Sequence, residues 1–269
     1  MNLKYIMQHN NTDQAIIYHY KKIFSYNKNN KLIKLRSITK FVVSLAIGIL
    51  FDENKLKLTD PIVKYIKEFQ YSDITIFHIL THSSGLYYEW NKTSITHFTK
   101  SDLDKFVLGL KKVNKMGISK YNNFTPNILT WIIRIITGLD VDEFLNEKIF
   151  KKLKIKYEWI KNKGKCYGAF GLSMNANDLL KIGKILINPK NKFISEKYLK
   201  LMRKKYYYNY GLFNMTYKNY LFGHDGSGGQ DFFYNPKDKI ILIKLRDSDA
   251  MDENIYLEFL DDALEFIRK

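Results

Sequence analysis

Two Ser-x-x-Lys pairs occur in the chain, Ser25-Tyr26-Asn27-Lys28 and Ser37-Ile38-Thr39-Lys40. On a helix, residues i and i+3 share a face, so such a pair can place a hydroxyl beside an amine. Lysine accepts the proton of a serine only where burial and nearby positive charge depress its pKa. Ser37 stands at the head of an apolar run, "LRSITKFVVSLAIGIL". A serine in a first helical turn also has unpaired backbone N–H groups close by, which can stabilise an oxyanion. The bland reading of the same residues is a capping serine and a lysine that snorkels to the surface. Spacing alone leaves both open. Ser25 and Lys28 fall in a strand-like stretch, where i+3 spacing does not bring side chains to one face.

Two further short patterns lie downstream. Tyr121-x-Asn123 precedes a helical stretch, although Tyr207-x-Asn209 and Tyr217-x-Asn219 also match. His224-Asp225-Gly226, in "FGHDGSGGQDFF", is the one His-x-Gly of the sequence, and its glycines permit close backbone approach. His78 and His82 are four apart, but no third ligand suggests itself. His9, His19 and His97 have no chemical context. "THSSG" is not a nucleophile elbow, and Ser83 and Ser84 read as loop hydrogen-bonders. Ser173 reads as a cap for the helix that follows it.

The elements that must position these residues follow from periodicity. Ile38, Phe41, Val42, Leu45, Ala46, Ile49 and Leu50 recur at helical spacing on nearly every face, which predicts a central, buried helix. Further helices are expected over Thr75–Thr81, Ser101–Lys112, Thr125–Thr137, Val141–Leu153, Asn175–Ile187 and Asp252–Arg268. Asn175 and Asp178 form an N-cap pattern. Gln14–Asn27 reads as a hairpin, and the stretch after Tyr206 as antiparallel strands with a turn at Asn235–Asp238. The expected fold is α+β. Strands from both ends complete one sheet (residues 1–35 and 206–269), with a helical lobe inserted (36–205).

The chain has 269 residues, 45% hydrophobic and 15% aromatic, which excludes a disordered protein. The net charge of +17 raises nucleic acid as a partner. However, the lysines are scattered, and Lys, Asn, Ile, Tyr and Phe share AT-rich codons, so no nucleic-acid partner is expected. One cysteine, Cys166, excludes an internal disulfide and reads as a buried, inert thiol. No signal-peptide h-region or membrane-spanning run is present, so a cytoplasmic chain is expected unless a leader has been removed. The oligomeric state stays open.

In this order and with these flanks, the chain resembles the serine β-lactamase and penicillin-binding protein superfamily. More narrowly, it resembles the class C β-lactamase-related group of D,D-peptidases, D-aminopeptidases and esterases. "RSITKFVVSLAIGILFDENKLKLTDPI" matches the group's Ser-x-Thr-Lys helix and the Leu-x-Leu-x-Asp-Pro segment after it, "ITIFHILTHSSGL" its Leu-Leu-Thr-His-Thr-Ser-Gly-Leu block, and "GAFGLSMNANDLLKIGKILI" its Gly-Gly-Leu-x-Ser-Thr helix. The resemblance implies a serine hydrolase that works through an acyl-enzyme on an amide, β-lactam or ester, with no metal or cofactor. It implies Ser37 as nucleophile, Lys40 as its base and Tyr121 as proton relay to the leaving group. Asn123 would bind the substrate amide or hold Lys40, and His224 would orient Tyr121 or a substrate carboxylate. The N–H groups of Ser37 and Ser227 would form the oxyanion hole, with Asp225 and Gly226 at the substrate. Asp225 stands where relatives carry Thr or Ser, which disfavours a carboxylate substrate. A non-catalytic binding or structural member is the alternative.

Overall fold

The computed structural model describes residues 5–6, 12–88, 103–247 and 258–268. Gln14–His19 (β1) and Lys22–Asn27 (β2) form the expected hairpin. Its turn is made by Tyr20 and Lys21, both at positive φ. Helix α1, Ile38–Asp52, is buried without a break from Ile38 to Leu50. Ile76–Leu80 (α2), Pro126–Thr137 (α3), Val141–Leu145 (α4), Ala176–Leu186 (α5) and Glu196–Arg203 (α6) follow. Then come Met215–Tyr217 (β3), Leu221–Gly226 (β4), Gln230–Asn235 (β5), Ile240–Leu245 (β6) and Glu258–Arg268 (α7). The six strands make one antiparallel sheet in the order β3-β4-β5-β6-β1-β2, so the chain's two ends meet at β6 and β1.

Period-two alternation divides the sheet into two faces. Phe232 and Tyr234 of β5, Ile241 and Ile243 of β6 and Ile16 of β1 join the large core around α1. Phe233, Leu242, Ala15 and Ile17 point the other way, into a smaller core closed by Phe259, Leu260, Ala263 and Leu264 of α7. The two cores explain the uninterrupted burial of β5 and β6. Each fully buried Ile or Phe contributes roughly 1.5–3 kcal/mol. Helix α1 is tied to the sheet by an edge-on contact of Phe41 with Phe232, the ring centroids 5.3 Å apart. Helix α6 crosses α1 at Gly48, where a Cβ would lie 2.5 Å from the Tyr198 ring.

Local signals account for the helix ends. Pro126 opens α3, and Gly138, at φ 76°, closes it in the left-handed conformation. The Asn175 side chain accepts from the Asp178 N–H at 2.8 Å and donates back to its carboxylate at 3.0 Å. Ser173 is not that cap: it lies in the short strand Leu172–Met174. The expected Val141–Leu153 helix is continuous but carries a π turn over Asn146–Phe150. Helix α5, expected in the helical lobe, also packs on the sheet; Gly183 sits so close to Ile241 that a Cβ would meet it at 2.7 Å. Of the expected Ser101–Lys112 helix only Leu103–Leu108 forms, and Lys111–Lys112 pairs as a strand with Leu86–Tyr87; Ser101 and Asp102, the first residues of the expected Asp252–Arg268 helix, His9 and His97 lie outside the described residues.

Burial raises the pKa of the Cys166 thiol, and Asp140 and Asp142 push it further. Lys161 already supplies a cation to those carboxylates, 2.9 Å from Asp142. No helix among the described residues is long and apolar enough to cross a membrane.

Candidate active site

Ser37 occupies the N-cap position of α1 but does not cap it. Its backbone is helical (φ −68°, ψ −14°), and its side chain makes no capping hydrogen bond. The hydroxyl faces two other groups instead. The Tyr121 phenol donates to Ser37 Oγ at 2.8 Å, and Lys40 Nζ donates to it at 3.1 Å. The turn that presents Ser37 is tight: Arg36, just before it, sits at φ 52°. A non-glycine residue in that region is strained, as is common at functional sites.

Lys40 does not snorkel. It is fully buried, and Nζ also donates to the Ala169 carbonyl at 3.0 Å. Burial drives its pKa well below the ordinary lysine value, with Asp225 opposing more weakly. Lys40 Nζ lies over the Tyr121 ring, 4.7 Å from the centroid. Tyr121 itself is 47% exposed, so the Ser37–Tyr121 pair opens to solvent while Lys40 does not.

Ala169 can reach Lys40 because Gly168 lets its segment press on the start of α3. A Cβ at Gly168 would lie 2.4 Å from the Pro126 carbonyl oxygen and 2.9 Å from the Asn127 nitrogen. Both obstacles are backbone, so Gly168→Ala is expected to displace the segment and destabilise the fold by about 1–3 kcal/mol. It should also remove an acceptor from Lys40. Thermal unfolding checks the first effect, and the labelling rate of the Ser37 hydroxyl by a fluorophosphonate the second.

The loop carrying Tyr121 is held by Asn122, which sequence reasoning passed over in favour of Asn123. Asn122 Oδ1 accepts from Phe124 N (2.8 Å) and Thr125 N (3.0 Å), and its amide donates to Leu86 O at 3.1 Å. Asn123 is not among the hydrogen-bond partners of Lys40; its N–H donates to the Tyr88 phenol at 3.2 Å.

Strand β4 brings His224, Asp225 and Gly226 to the same cleft. Gly226 packs on the turn before Ser37, where a Cβ would lie 2.9 Å from Leu35 O and 3.0 Å from Arg36 Cβ. Its close approach is therefore to the protein's own backbone. Ser227 follows in a turn closed by Gly229 N to Gly226 O at 2.9 Å. His224 is 1% exposed and meets the Tyr210 phenol through Nε2 at 3.1 Å; its ring centroid is 6.3 Å from that of Tyr121. Asp225 alternates to the far face of the strand, opposite Asp231, with one oxygen 3.4 Å from His224 Nδ1. Burial pushes the Asp225 carboxyl up, but His224 and Lys40 outweigh it and hold the group below the usual carboxylate range.

His78 and His82 do not face a common point. His78 Nδ1 accepts from Thr75 N at 3.1 Å in a capping box, whereas the His82 ring lies 4.7 Å from Tyr121. Tyr210 and His82 are thus part of the site's surroundings, and neither carries a short-range motif that would announce it.

The beta-lactamase family model matches residues 15–257, which spans Ser37, Lys40, Tyr121 and the His224-Asp225-Gly226 strand. The chain belongs to the beta-lactamase family. Among curated members, it is 26% identical over 171 residues to a teichoic acid D-alanine hydrolase of Staphylococcus aureus, covering 57% of this chain and 41% of that protein. The chain spans about half the length, or less, of the curated relatives it matches. Among solved structures of this fold, an octameric penicillin-binding protein homologue from Pyrococcus abyssi superposes with a TM-score of 0.79 at 22% identity, covering 98% of this chain and 76% of that one. EstCE1, a hydrolase with promiscuous acyltransferase activity, superposes with a TM-score of 0.78 at 13% identity, covering 97% and 96%. At these identities the superpositions establish the beta-lactamase fold and nothing finer.

Proposed function

We propose that this protein is a serine hydrolase that forms an acyl-enzyme on Ser37. The observation that carries the reading is a serine at a helix head that leaves its helix uncapped and is bonded instead by a buried lysine and a cleft tyrosine. Neutral Lys40 takes the Ser37 proton as Oγ attacks the substrate carbonyl. The oxyanion forms between the Ser37 and Ser227 N–H groups, where each well-placed donor typically lowers the barrier by about 3 kcal/mol. Lys40 then returns its proton through Tyr121 to the departing alcohol or amine. Water, activated by the same pair, releases the acyl group.

Asp225 points to the substrate class. Its carboxylate is held ionised behind the cleft strand and couples electrostatically to Lys40, so it disfavours the carboxylate of a penicillin or a D-alanyl-D-alanine peptide and favours an ammonium. An ester of an amino acid with a free amine fits best, in keeping with the D-alanine hydrolase among the relatives.

Fluorophosphonate labelling with peptide mapping tests the nucleophile. The expected result is a single adduct on the Ser37 peptide, absent from Ser37→Ala. No adduct, or one that persists in the variant, overturns the reading. For the substrate, the D-alanyl ester of p-nitrophenol should be cleaved faster than its N-acetyl counterpart, and a chromogenic cephalosporin slowest. Equal rates for the first two would remove Asp225 from the argument.

A further inference from the structure

His82 holds Tyr121 from three sides. Its carbonyl accepts from the Lys120 N–H at 2.8 Å, its Nδ1 accepts from the Asn122 N–H at 3.2 Å, and its ring packs on the Tyr121 ring. The residues before and after the tyrosine are therefore both tied to one histidine. That histidine sits at φ 54°, a conformation His adopts more readily than most side chains.

The other ring nitrogen of His82 leads across the cleft. Nε2 lies 3.2 Å from Tyr210 Oη, and Tyr210 Oη lies 3.1 Å from His224 Nε2. His224 Nδ1 is 2.7 Å from its neighbour's carbonyl, Asp225 O. All three side chains are buried.

Each end of this chain is a backbone group whose role is fixed. An amide N–H can only donate, so His82 Nδ1 is bare and Nε2 carries the hydrogen. A carbonyl can only accept, so His224 Nδ1 carries its hydrogen. Between them Tyr210 has one hydrogen and two lone pairs. It accepts from His82 and gives its proton's bond to His224 Nε2, which is satisfied when His224 is neutral.

We propose that His82, Tyr210 and His224 form a one-directional hydrogen-bond chain that makes His82 and Tyr210 positioning residues for Tyr121. The chain runs from Asn122 N–H through His82, Tyr210 and His224 to Asp225 O. It fixes the His82 ring, and through it the phenol that must reach both Ser37 and the leaving group. It also links the Tyr121 loop to strand β4, so the two walls of the cleft share one register. Burial lowers the His82 pKa strongly, which keeps the ring in the neutral form the chain needs.

This inference rests on the proposed acyl-enzyme reaction, and its test separates the two. Imidazole ¹⁵N labelling of the six histidines, with long-range ¹H–¹⁵N correlation, reads the tautomers without turnover. At pH 7, His82 is expected as the Nε2–H tautomer and His224 as the Nδ1–H tautomer, assigned through His82→Asn and His224→Gln. Identical tautomers, or a doubly protonated ring at either position, overturn the chain. Tyr210→Phe keeps the ring and deletes the link. It should lower kcat for ester cleavage by about tenfold or more, with KM nearly unchanged.

His82→Asn still accepts from Asn122 and tolerates the backbone but cannot reach Tyr210, so it should lose a similar factor. The double variant should lose little more, since members of one network are not additive. Losses that multiply, or a Tyr210→Phe enzyme with unchanged kcat, overturn the positioning role. An inert wild type overturns the proposed function instead.

Discussion

Lys40→Arg is expected to slow acylation of Ser37 by about 10²- to 10⁴-fold, the range that one general base typically supplies. Arginine keeps the positive charge and can still donate to Ser37 and Ala169. What it cannot do is lose its proton near neutral pH. The variant therefore separates a lysine that acts as base from one that only holds the hydroxyl. In the wild type, acylation should rise with pH through the lowered pKa of Lys40 and then level off; the arginine enzyme should lack that limb. An arginine variant within a few-fold of wild type would dismiss the base.

The same burial has a cost for the fold. The unfolded chain binds a proton at Lys40 up to about pH 10.4, where the folded chain has already released it. Stability therefore rises with pH from the lowered pKa to that value. Lys40→Met removes this slope. It is expected to be inactive yet more stable by about 1–2 kcal/mol, as when a functional buried charge is exchanged for an apolar side chain. Denaturation at several pH values reads both effects.

The largest loss of stability is expected at a second buried lysine, away from the cleft. Lys244 and Asp231 pair at 2.9 Å on the sheet face covered by α7, with side-chain exposures of 0% and 1%. The Lys244 ammonium lies 5.8 Å from the Phe259 ring centroid. Asp231→Ala takes the paired carboxylate away from a fully buried lysine and should cost about 3–5 kcal/mol. Asp231→Leu combined with Lys244→Met should recover the loss or exceed the wild type, because Asp231 Oδ1 has no hydrogen-bond partner among the described residues. Burial pushes the Asp231 carboxyl up to about 6, with Lys244 pulling the other way. A raised acid favours the fold below its unfolded pKa and loses that contribution as pH rises through about 6. The double variant should lack this slope. Urea unfolding at pH 4 and pH 7 measures it; an Asp231→Ala protein of unchanged midpoint would refute the burial cost.

What the sequence made legible was the part of the site built from short spacing. Ser37 and Lys40 are one helical turn apart, and a run of apolar residues after them states that the turn is buried. Tyr121 and His224 stand in short patterns, which the order of the three longer matched blocks around them singles out. Strand alternation placed β5 and β6, but not Asp231 and Lys244, because a charged residue in a strand reads as a solvent-facing one until α7 covers that face. The His82–Tyr210–His224 chain was out of reach for another reason. Its members lie 128 and 14 residues apart, and nothing in a chain with 20 tyrosines distinguishes Tyr210. Asn122 and Asn123 differ only in which way the loop turns, which local sequence does not encode. Helices with caps were placed well; the two-residue strands, such as Glu158–Trp159, have too few residues to show a period.

The packing of Gly226 against Leu35 and Arg36 also sets when the enzyme can first exist. The helix that carries Ser37 leaves the ribosome before its brace and the strand that pairs with β1, which come roughly 190 to 210 residues later. At about 5–20 residues per second, that interval lasts on the order of ten to forty seconds. Until then β1 has no β6 and Ser37 has no strand behind it, so a nascent chain holds the serine without the cleft around it. Long-range closure of this kind slows folding and exposes an unpaired strand meanwhile. Truncation anywhere before β4 should thus yield a product that is both silent and prone to aggregate.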